Sequence, residues 1–134
     1  MKYGDLDLAP IGNCAASALI DSRARFVWAC APRVDGDPMF CALLSGRDPA
    51  EAQHGLWAID LVDEVEVSQH YQRNTPILAT RLRDAHGSEL EIIDFCPRYR
   101  HNNRTYRPNA FIRIVRPLKG APRIRMRLSP AVDW

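Results

Sequence analysis

Clusters of acidic side chains are the residues of this chain whose types and spacing could do chemistry. They are Asp35 with Asp37, the run Asp63–Glu66, and the run Glu89–Asp94. Two carboxyl groups can act as general acid and base when burial raises the pKa of one of them. In the two longer clusters, however, glutamates recur every second residue with apolar residues between them, so in a strand they share one face. This alternation favours a solvated or cross-strand-paired face over catalysis.

The sequence gives weaker indications of nucleophilic catalysis and of metal binding than of acid–base chemistry. Ser17, Cys30 and His70 are conceivable nucleophiles or bases, but the chain contains no Gly-x-Ser-x-Gly elbow to present a nucleophile. The cysteines and histidines lack the Cys-x-x-Cys and i, i+4 spacings that are typical of structural zinc sites. The sequence therefore predicts no catalytic residue, no metal site and no cofactor. Its cysteines, predicted to be reduced and mostly buried, are Cys14, Cys30, Cys41 and Cys96.

The segment Pro32–Pro38 is the best candidate for recognition. It is polar, a proline fixes each end, and Trp28 precedes it closely. Polar loops held by a rigid scaffold often carry binding residues. We expect Arg33, Asp35 and Asp37 to form a domain-interface loop. A purely structural connection between a strand and a helix remains the alternative.

Charge is divided unevenly along the chain. Residues 1–96 hold 8 Lys/Arg and 15 Asp/Glu, a net of −7, whereas residues 97–134 hold 10 Lys/Arg and 1 Asp/Glu, a net of +9. The late arginines could follow phosphates, with Tyr99 or Tyr106 stacking on bases. They could instead pair across strands with the early glutamates, and the near-neutral total of +2 favours this pairing. The arginines are Arg113, Arg116, Arg123, Arg125 and Arg127, and the glutamates are Glu64, Glu66, Glu89 and Glu91.

The elements that must position these residues are mostly strands, because apolar residues recur with period two. The predicted strands are 15–20, 25–31, 56–61, 64–73, 77–83, 89–95, 109–116 and 123–128. One short helix is also predicted, with Asp37 as its cap and Pro38 in its first turn. It has an apolar stripe and ends at Gly46. Residues 97–108 form the least regular stretch. The pattern predicts an all-β, antiparallel β-sandwich or barrel with one short helix.

Length and composition indicate a single globular domain, residues 1–134, with 46% apolar and 25% charged residues. The longest uncharged stretch near the start, Leu8–Ile20, is too short to span a bilayer. No signal peptide is visible, so we expect a cytoplasmic location. The chain stops at an apolar residue, Trp134, which predicts an amino-terminal fragment of a longer protein. Such a fragment would leave a strand edge exposed, and we expect self-association through it.

Several segments of the chain, taken in order, match one known pattern. They are Ala9–Ile20, Trp28–Asp35, Pro38–Leu44, Gly55–Trp57, Tyr71–Thr80, Ile93–Pro97, Ile114–Gly120 and Pro130–Trp134. Together they resemble the amino-terminal domain of bacterial glycoside hydrolase family 15, which comprises glucoamylase-like and trehalase-like enzymes.

The resemblance implies a β-sandwich, part of a larger super-sandwich, that packs against an (α/α)₆ barrel. In that family the barrel cleaves α-glucosidic bonds with inversion, using two glutamates far enough apart to admit a water. Both glutamates lie beyond Trp134, so the resemblance implies a non-catalytic chain whose partner is the barrel of its parent enzyme.

Two alternatives from other classes remain. One is a β-barrel that binds nucleic acid through its late arginine-rich strands. The other is a carbohydrate-binding module, which would need exposed coplanar aromatic rings. Trp28 and Trp57 lie in strand-like segments and resemble core residues, which disfavours the module.

Overall fold

The computed structural model describes residues 6–132, which form twelve β-strands and one short 3₁₀ helix. The helix spans Ala42–Leu44. The strands are β1 Leu8–Gly12, β2 Ser17–Asp21, β3 Phe26–Cys30, β4 Pro38–Phe40, β5 Leu56–Leu61, β6 Glu64–Tyr71, β7 Leu78–Asp84, β8 Glu89–Phe95, β9 Tyr99–His101, β10 Arg104–Tyr106, β11 Ile112–Lys119 and β12 Ile124–Ser129. Asp133 and Trp134, the end of the last resembling segment, lie outside the described residues.

The strands form two large antiparallel sheets and one separate hairpin. The six-stranded sheet has the order β1-β2-β3-β5-β12, with β4 added to β3, and the four-stranded sheet has the order β11-β8-β7-β6. Among the residues that the structure describes, the hairpin β9–β10 pairs with neither sheet. This arrangement confirms the all-β antiparallel sandwich. The eight predicted strands are all present, and the four additional strands are β1, β4, β9 and β10.

The core lies between the two large sheets, since inward residues alternate with outward ones along each strand. Ile20, Phe26 and Ile59 from the large sheet pack in one cluster with Leu82 and Ile92 from the small sheet. Phe26 and Phe40 meet edge to face at 5.8 Å between ring centroids. A second, smaller cluster packs on the outer face of β5, and its buried members are Val27, Ala42, Ala52, Leu56 and Ala58. No helix within residues 6–132 has the length and apolar character needed to cross a membrane.

The predicted helix from Asp37 to Gly46 is mostly wrong. Pro38 and Phe40 pair with β3, and only Ala42–Leu44 are helical, with no side-chain cap. The main-chain oxygen of Asp37 accepts a bond from the Ala31 N–H at 3.3 Å, which continues the strand pairing. Extended backbone here buries Phe40 in the core, and this tertiary packing overrides the local helix signals.

Residues 97–108 are more regular than predicted. His101 is followed by Asn102 and Asn103, whose φ values of 49° and 60° lie in the left-handed region. A two-residue turn with positive φ at both positions matches the twist of a hairpin, and asparagine tolerates that conformation well. The result is the β9–β10 hairpin in the stretch that joins β8 to β11.

Candidate domain-interface site

The connection between β3 and β4 carries Arg33, Asp35 and Asp37 on the surface. Nε and Nη2 of Arg33 donate to the two oxygens of Asp35, both at 2.9 Å. These side chains are 78% and 65% exposed, so the pair contributes at most about 1 kcal/mol to folding. The Asp37 side chain is also exposed, and no bond within residues 6–132 joins it to Arg33 or Asp35. The loop thus presents a fixed ion pair and a separate carboxylate to its surroundings.

Asn13 ties the hairpin to the sandwich. Its side chain is almost completely buried, and Nδ2 donates to the main-chain oxygens of Pro97 and Pro108, both at 2.8 Å. Its Oδ1 accepts bonds from the N–H groups of Ala15 and Ala16 at 3.0 and 2.8 Å. One side chain therefore holds both ends of the stretch that carries β9 and β10.

A second asparagine connects the hairpin stretch to the β3–β4 loop. Nδ2 of Asn109 donates to the main-chain oxygen of Pro32. Together with the bonds of Asn13, this contact places three connections at one end of the sandwich. We call this region the loop end and define it as residues 13–16, 31–37 and 97–109.

The hairpin gives the loop end a strong positive charge. The stretch that carries it, the twelve residues from Pro97 to Pro108, contains no acidic residue. The rings of Tyr99 and Tyr106 stack across the two strands, with centroids 5.3 Å apart. All four arginines of the stretch are exposed, and they are Arg98, Arg100, Arg104 and Arg107. Arg33 and Asp35 neutralise each other, so the net character of this surface is cationic.

Several acidic residues of the sheets are paired with arginines, but among the described residues only one of the predicted pairings of a late arginine with Glu64, Glu66, Glu89 or Glu91 is present. Arg116 contacts Glu91 at 2.5 Å on the outer face of the small sheet, and Arg127 contacts Asp60 at 2.9 Å. Arg113 lies in the core with Asp94. The partners of Glu64 and Glu66 differ from those predicted, because Arg23 and Arg83 lie closer to them than the late arginines do.

These pairings determine the electrostatics of the candidate acids. Hydrogen bonding to Arg116 lowers the pKa of Glu91, which outweighs its burial. Burial raises the pKa of Glu64 and of Asp94, with arginines acting in the opposite direction. Asp94 has no exposed side-chain surface and faces the Arg113 guanidinium. A carboxylate shut away from solvent and bonded to arginine cannot exchange protons with a substrate, so the geometry gives Asp94 a structural role.

The cysteines are unpaired thiols, as predicted, and two of the four are buried. Cys30 and Cys96 lie in the interior, Cys41 is half-buried and Cys14 is exposed. Burial, and then the negative charges of Asp37 and Asp35, raises the pKa of the Cys30 thiol. Within the described residues no group of three His, Cys, Asp or Glu side chains is arranged to hold a metal ion.

Trp28 and Trp57 do not form the exposed platform that a carbohydrate-binding module needs. Trp57 packs against Phe26 and Phe40, with ring centroids 5.3 and 6.5 Å away. Trp28 is half-buried in β3. The rings of Tyr99 and Tyr106 stack on each other, so they do not lie side by side as the coplanar rings of such a module would.

The sequence indicated part of the loop end. It singled out Arg33, Asp35 and Asp37 from the polar loop between two prolines. It missed Asn13 and Asn109, which bond to main-chain oxygens 77 to 95 residues away and leave no local pattern. The Asn102-Asn103 pair between two short alternating segments was the one signal that could have predicted the hairpin.

Comparison with known proteins adds one finding. A family model described as "Trehalase-like, N-terminal" matches residues 7–134. Neither the curated proteins nor the solved structures searched gave a match.

Proposed function

The chain belongs to the family of trehalase-like amino-terminal domains, and from this premise we propose that it is the non-catalytic amino-terminal part of a longer glycoside hydrolase. The parent enzyme would act on α-glucosidic bonds, with inversion, through glutamates on an (α/α)₆ barrel. The observation that carries the proposal is the family match over nearly the whole chain. Arginines form ion pairs with several of the candidate acids, which are Glu64, Glu66, Glu91 and Asp94. This supports the proposal that the catalytic acids lie in another part of the enzyme.

We propose further that the loop end contacts the catalytic barrel. Arg33 and Asp35 are exposed and already held in one geometry, so docking would cost them little side-chain freedom. The hairpin adds four exposed arginines next to them, and such a surface suits an acidic partner face. Asp37 would accept hydrogen bonds at the rim of this contact. We also propose the reducing cytoplasm as the compartment, which the unpaired thiols support.

The non-catalytic assignment is tested by assaying the purified chain for glucose release from trehalose, maltose and starch. We expect no release above that of the Glu64→Gln variant, in which a candidate acid with some exposed side-chain surface is replaced. Turnover that copurifies with the chain and falls in that variant would contradict the proposal.

The interface is tested in the full-length parent enzyme by hydrogen exchange. Residues 31–37 and 97–109 should exchange more slowly there than in the isolated chain. Arg33→Glu should abolish that protection, because it reverses one charge of the docking loop. Arg47→Glu is the matched control, since Arg47 is exposed on a different connection. Equal exchange of the loop end in both proteins would exclude it as the interface.

A further inference from the structure

An open hollow lies beside the connection between β6 and β7. It has a volume of about 600 Å³, and it is lined by Pro10 of β1 and by residues 71–76. Volumes of this order are usual for small-molecule sites. In the small sheet Leu78 is paired with Tyr71 on one side and with Asp94 on the other. The hollow therefore lies at the end of the sheet where β8 leads into the stretch 97–109 of the loop end.

Internal hydrogen bonds hold the connection in one conformation. The Gln72 N–H donates to the Ile77 oxygen at 2.8 Å, and the Thr75 N–H donates to the Gln72 oxygen at 3.1 Å. The Thr75 hydroxyl also donates to the Gln72 oxygen, at 2.9 Å, and accepts a bond from the Ile77 N–H at 3.2 Å. Asn74 takes the left-handed conformation, with a φ of 58°, which asparagine tolerates well in turns. A ligand would thus meet a wall that is already ordered, and its binding would cost little conformational entropy.

Tyr71 gives the hollow an apolar surface. Its hydroxyl donates to the main-chain oxygen of Pro10 at 2.6 Å, which fixes the ring against β1. The residue is nevertheless 41% exposed. Pro10 and Pro76 line the same hollow and are also exposed. A tyrosine offers a large apolar ring while its hydroxyl stays bonded, and the matching apolar surface of a sugar is the C–H face of its pyranose ring.

The fold does not use the polar side chains of the hollow. The side chains of Gln72, Arg73 and Asn74 are exposed, and within residues 6–132 they have no hydrogen-bond or ion-pair partner. Each amide offers both donors and an acceptor, and the guanidinium offers a planar set of donors. Neighbouring hydroxyls of a sugar donate and accept in the same way. Arg73 is the one charged residue that lines the hollow in the described part of the chain, so this set suits a neutral polyol better than an anion.

We propose that the hollow binds a glucosyl unit of an α-glucoside, with Tyr71 against the C–H face of the ring and Gln72, Arg73 and Asn74 bonded to its hydroxyls. One ring and three polar side chains make a weak site, so the dissociation constant should lie in the millimolar range. A single tyrosine is not the row of coplanar rings of a carbohydrate-binding module. The site is therefore accessory, and it would hold sugar at the end of the sandwich that carries the loop end.

The sugar site itself is inferred from the hollow, whereas the choice of a glucosyl unit rests on the proposed function. The test is a titration of the isotope-labelled chain with maltotriose or trehalose, followed by two-dimensional NMR. The side-chain amide signals of Gln72 and Asn74 report on the hollow directly. We expect them, and the backbone signals of residues 71–76, to shift along a saturable curve. The sugar with the lower dissociation constant shows whether a linear glucan or trehalose provides the glucosyl unit.

Variants locate the binding. Asn74→Gly removes one amide and keeps the turn, because glycine adopts a positive φ without strain. Arg73→Ala removes the guanidinium. Each should weaken sugar binding about two- to tenfold, the loss of one or two hydrogen bonds. Asn102→Gly is the matched control, since Asn102 is also an exposed asparagine with a positive φ, at the tip of the β9–β10 hairpin. It should leave sugar binding unchanged.

The expected result is a saturable shift of the signals of residues 71–76 that Asn74→Gly weakens and Asn102→Gly does not. No saturable shift at tens of millimolar sugar overturns the proposal. Saturation by inorganic phosphate, or equal saturation by sorbitol, which has no pyranose ring, also overturns it. The titration measures binding and not turnover, so its failure is distinct from a failure of the non-catalytic assignment, which the glucose-release assay tests.

Discussion

Arg113 and Asp94 form an ion pair inside the sandwich, with side chains only 1% and 0% exposed. Nε and Nη2 of Arg113 donate to the two Asp94 oxygens at 2.7 and 3.2 Å, and Nη1 donates to the main-chain oxygen of Trp57 at 3.0 Å. The guanidinium also lies over the Phe26 ring, 4.6 Å from its centroid. β11 is thereby bonded to β8 in its own sheet and to β5 in the opposite one.

Removing one partner of this pair should destabilise the fold strongly. Asp94→Ala leaves the Arg113 charge buried without a counter-charge, and we expect a loss of about 3–5 kcal/mol in the free energy of unfolding. Urea denaturation followed by circular dichroism measures this loss. Asp35→Ala, which breaks the exposed pair with Arg33, is the control and should cost less than about 1 kcal/mol. Similar losses for the two variants would contradict the structural role of the buried pair.

Local sequence patterns suffice to predict the strands whose ends carry turn residues. The strands at Leu56–Leu61 and Glu89–Phe95 have the predicted bounds, because turn residues delimit each apolar run. Asp94 was grouped with the glutamates as a possible acid, since nothing in the sequence indicated that Arg113 would lie beside it. The helix signal at Asp37-Pro38 failed because the packing of Phe40 is a long-range effect. Local residues thus predict strands and turns, whereas the contacts between sheets and at the loop end depend on the tertiary fold.

Asn13 should control the mobility of the hairpin. In Asn13→Asp the carboxylate still accepts the bonds from Ala15 and Ala16, but it cannot donate to Pro97 and Pro108. Two main-chain oxygens lose their donor, and each lost hydrogen bond costs about 0.5–1.5 kcal/mol. Trypsin should therefore cleave the arginine-rich hairpin several times faster than in the parent chain, as mass spectrometry of the fragments will show. Asn74→Asp, at an exposed turn, should leave the cleavage rate unchanged. An unaltered rate in Asn13→Asp would mean that other contacts hold the hairpin.

Gly55 is a glycine that the fold requires for two separate reasons. Its φ is +72°, and an added Cβ would lie 2.6 Å from the Cys41 sulfur. Gly46 has a similar φ of +65° but no atom within 4 Å of such a Cβ, so Gly46→Ala isolates the backbone strain. We expect Gly46→Ala to cost about 1–2 kcal/mol and Gly55→Ala about 1–3 kcal/mol more, from overpacking. Thermal and urea unfolding of the two variants measure the difference. Equal losses of unfolding free energy in the two variants would show that the segment before β5 moves away from the added Cβ at no cost in stability.

Cys96 should make the fold sensitive to alkaline pH. Burial raises the pKa of its thiol from 9.0 to about 11. Between these values the unfolded chain ionises the thiol and the folded chain keeps it protonated, so the free energy of the unfolded state falls relative to that of the folded state. The stabilising contribution is complete below about pH 9 and is lost as the pH rises towards 11, with a magnitude on the order of 2 kcal/mol.

The measurement is urea unfolding at several pH values from neutral to alkaline, compared between the parent chain and two variants. Cys96→Ala should be less stable near neutral pH, because it leaves a small cavity, but its stability should decline less steeply above pH 9. Part of the decline should persist, since burial also raises the pKa values of Cys41 and Tyr71. Cys14→Ala, at an exposed thiol, should follow the parent curve. An alkaline decline in Cys96→Ala as steep as that of the parent would assign the effect to other groups.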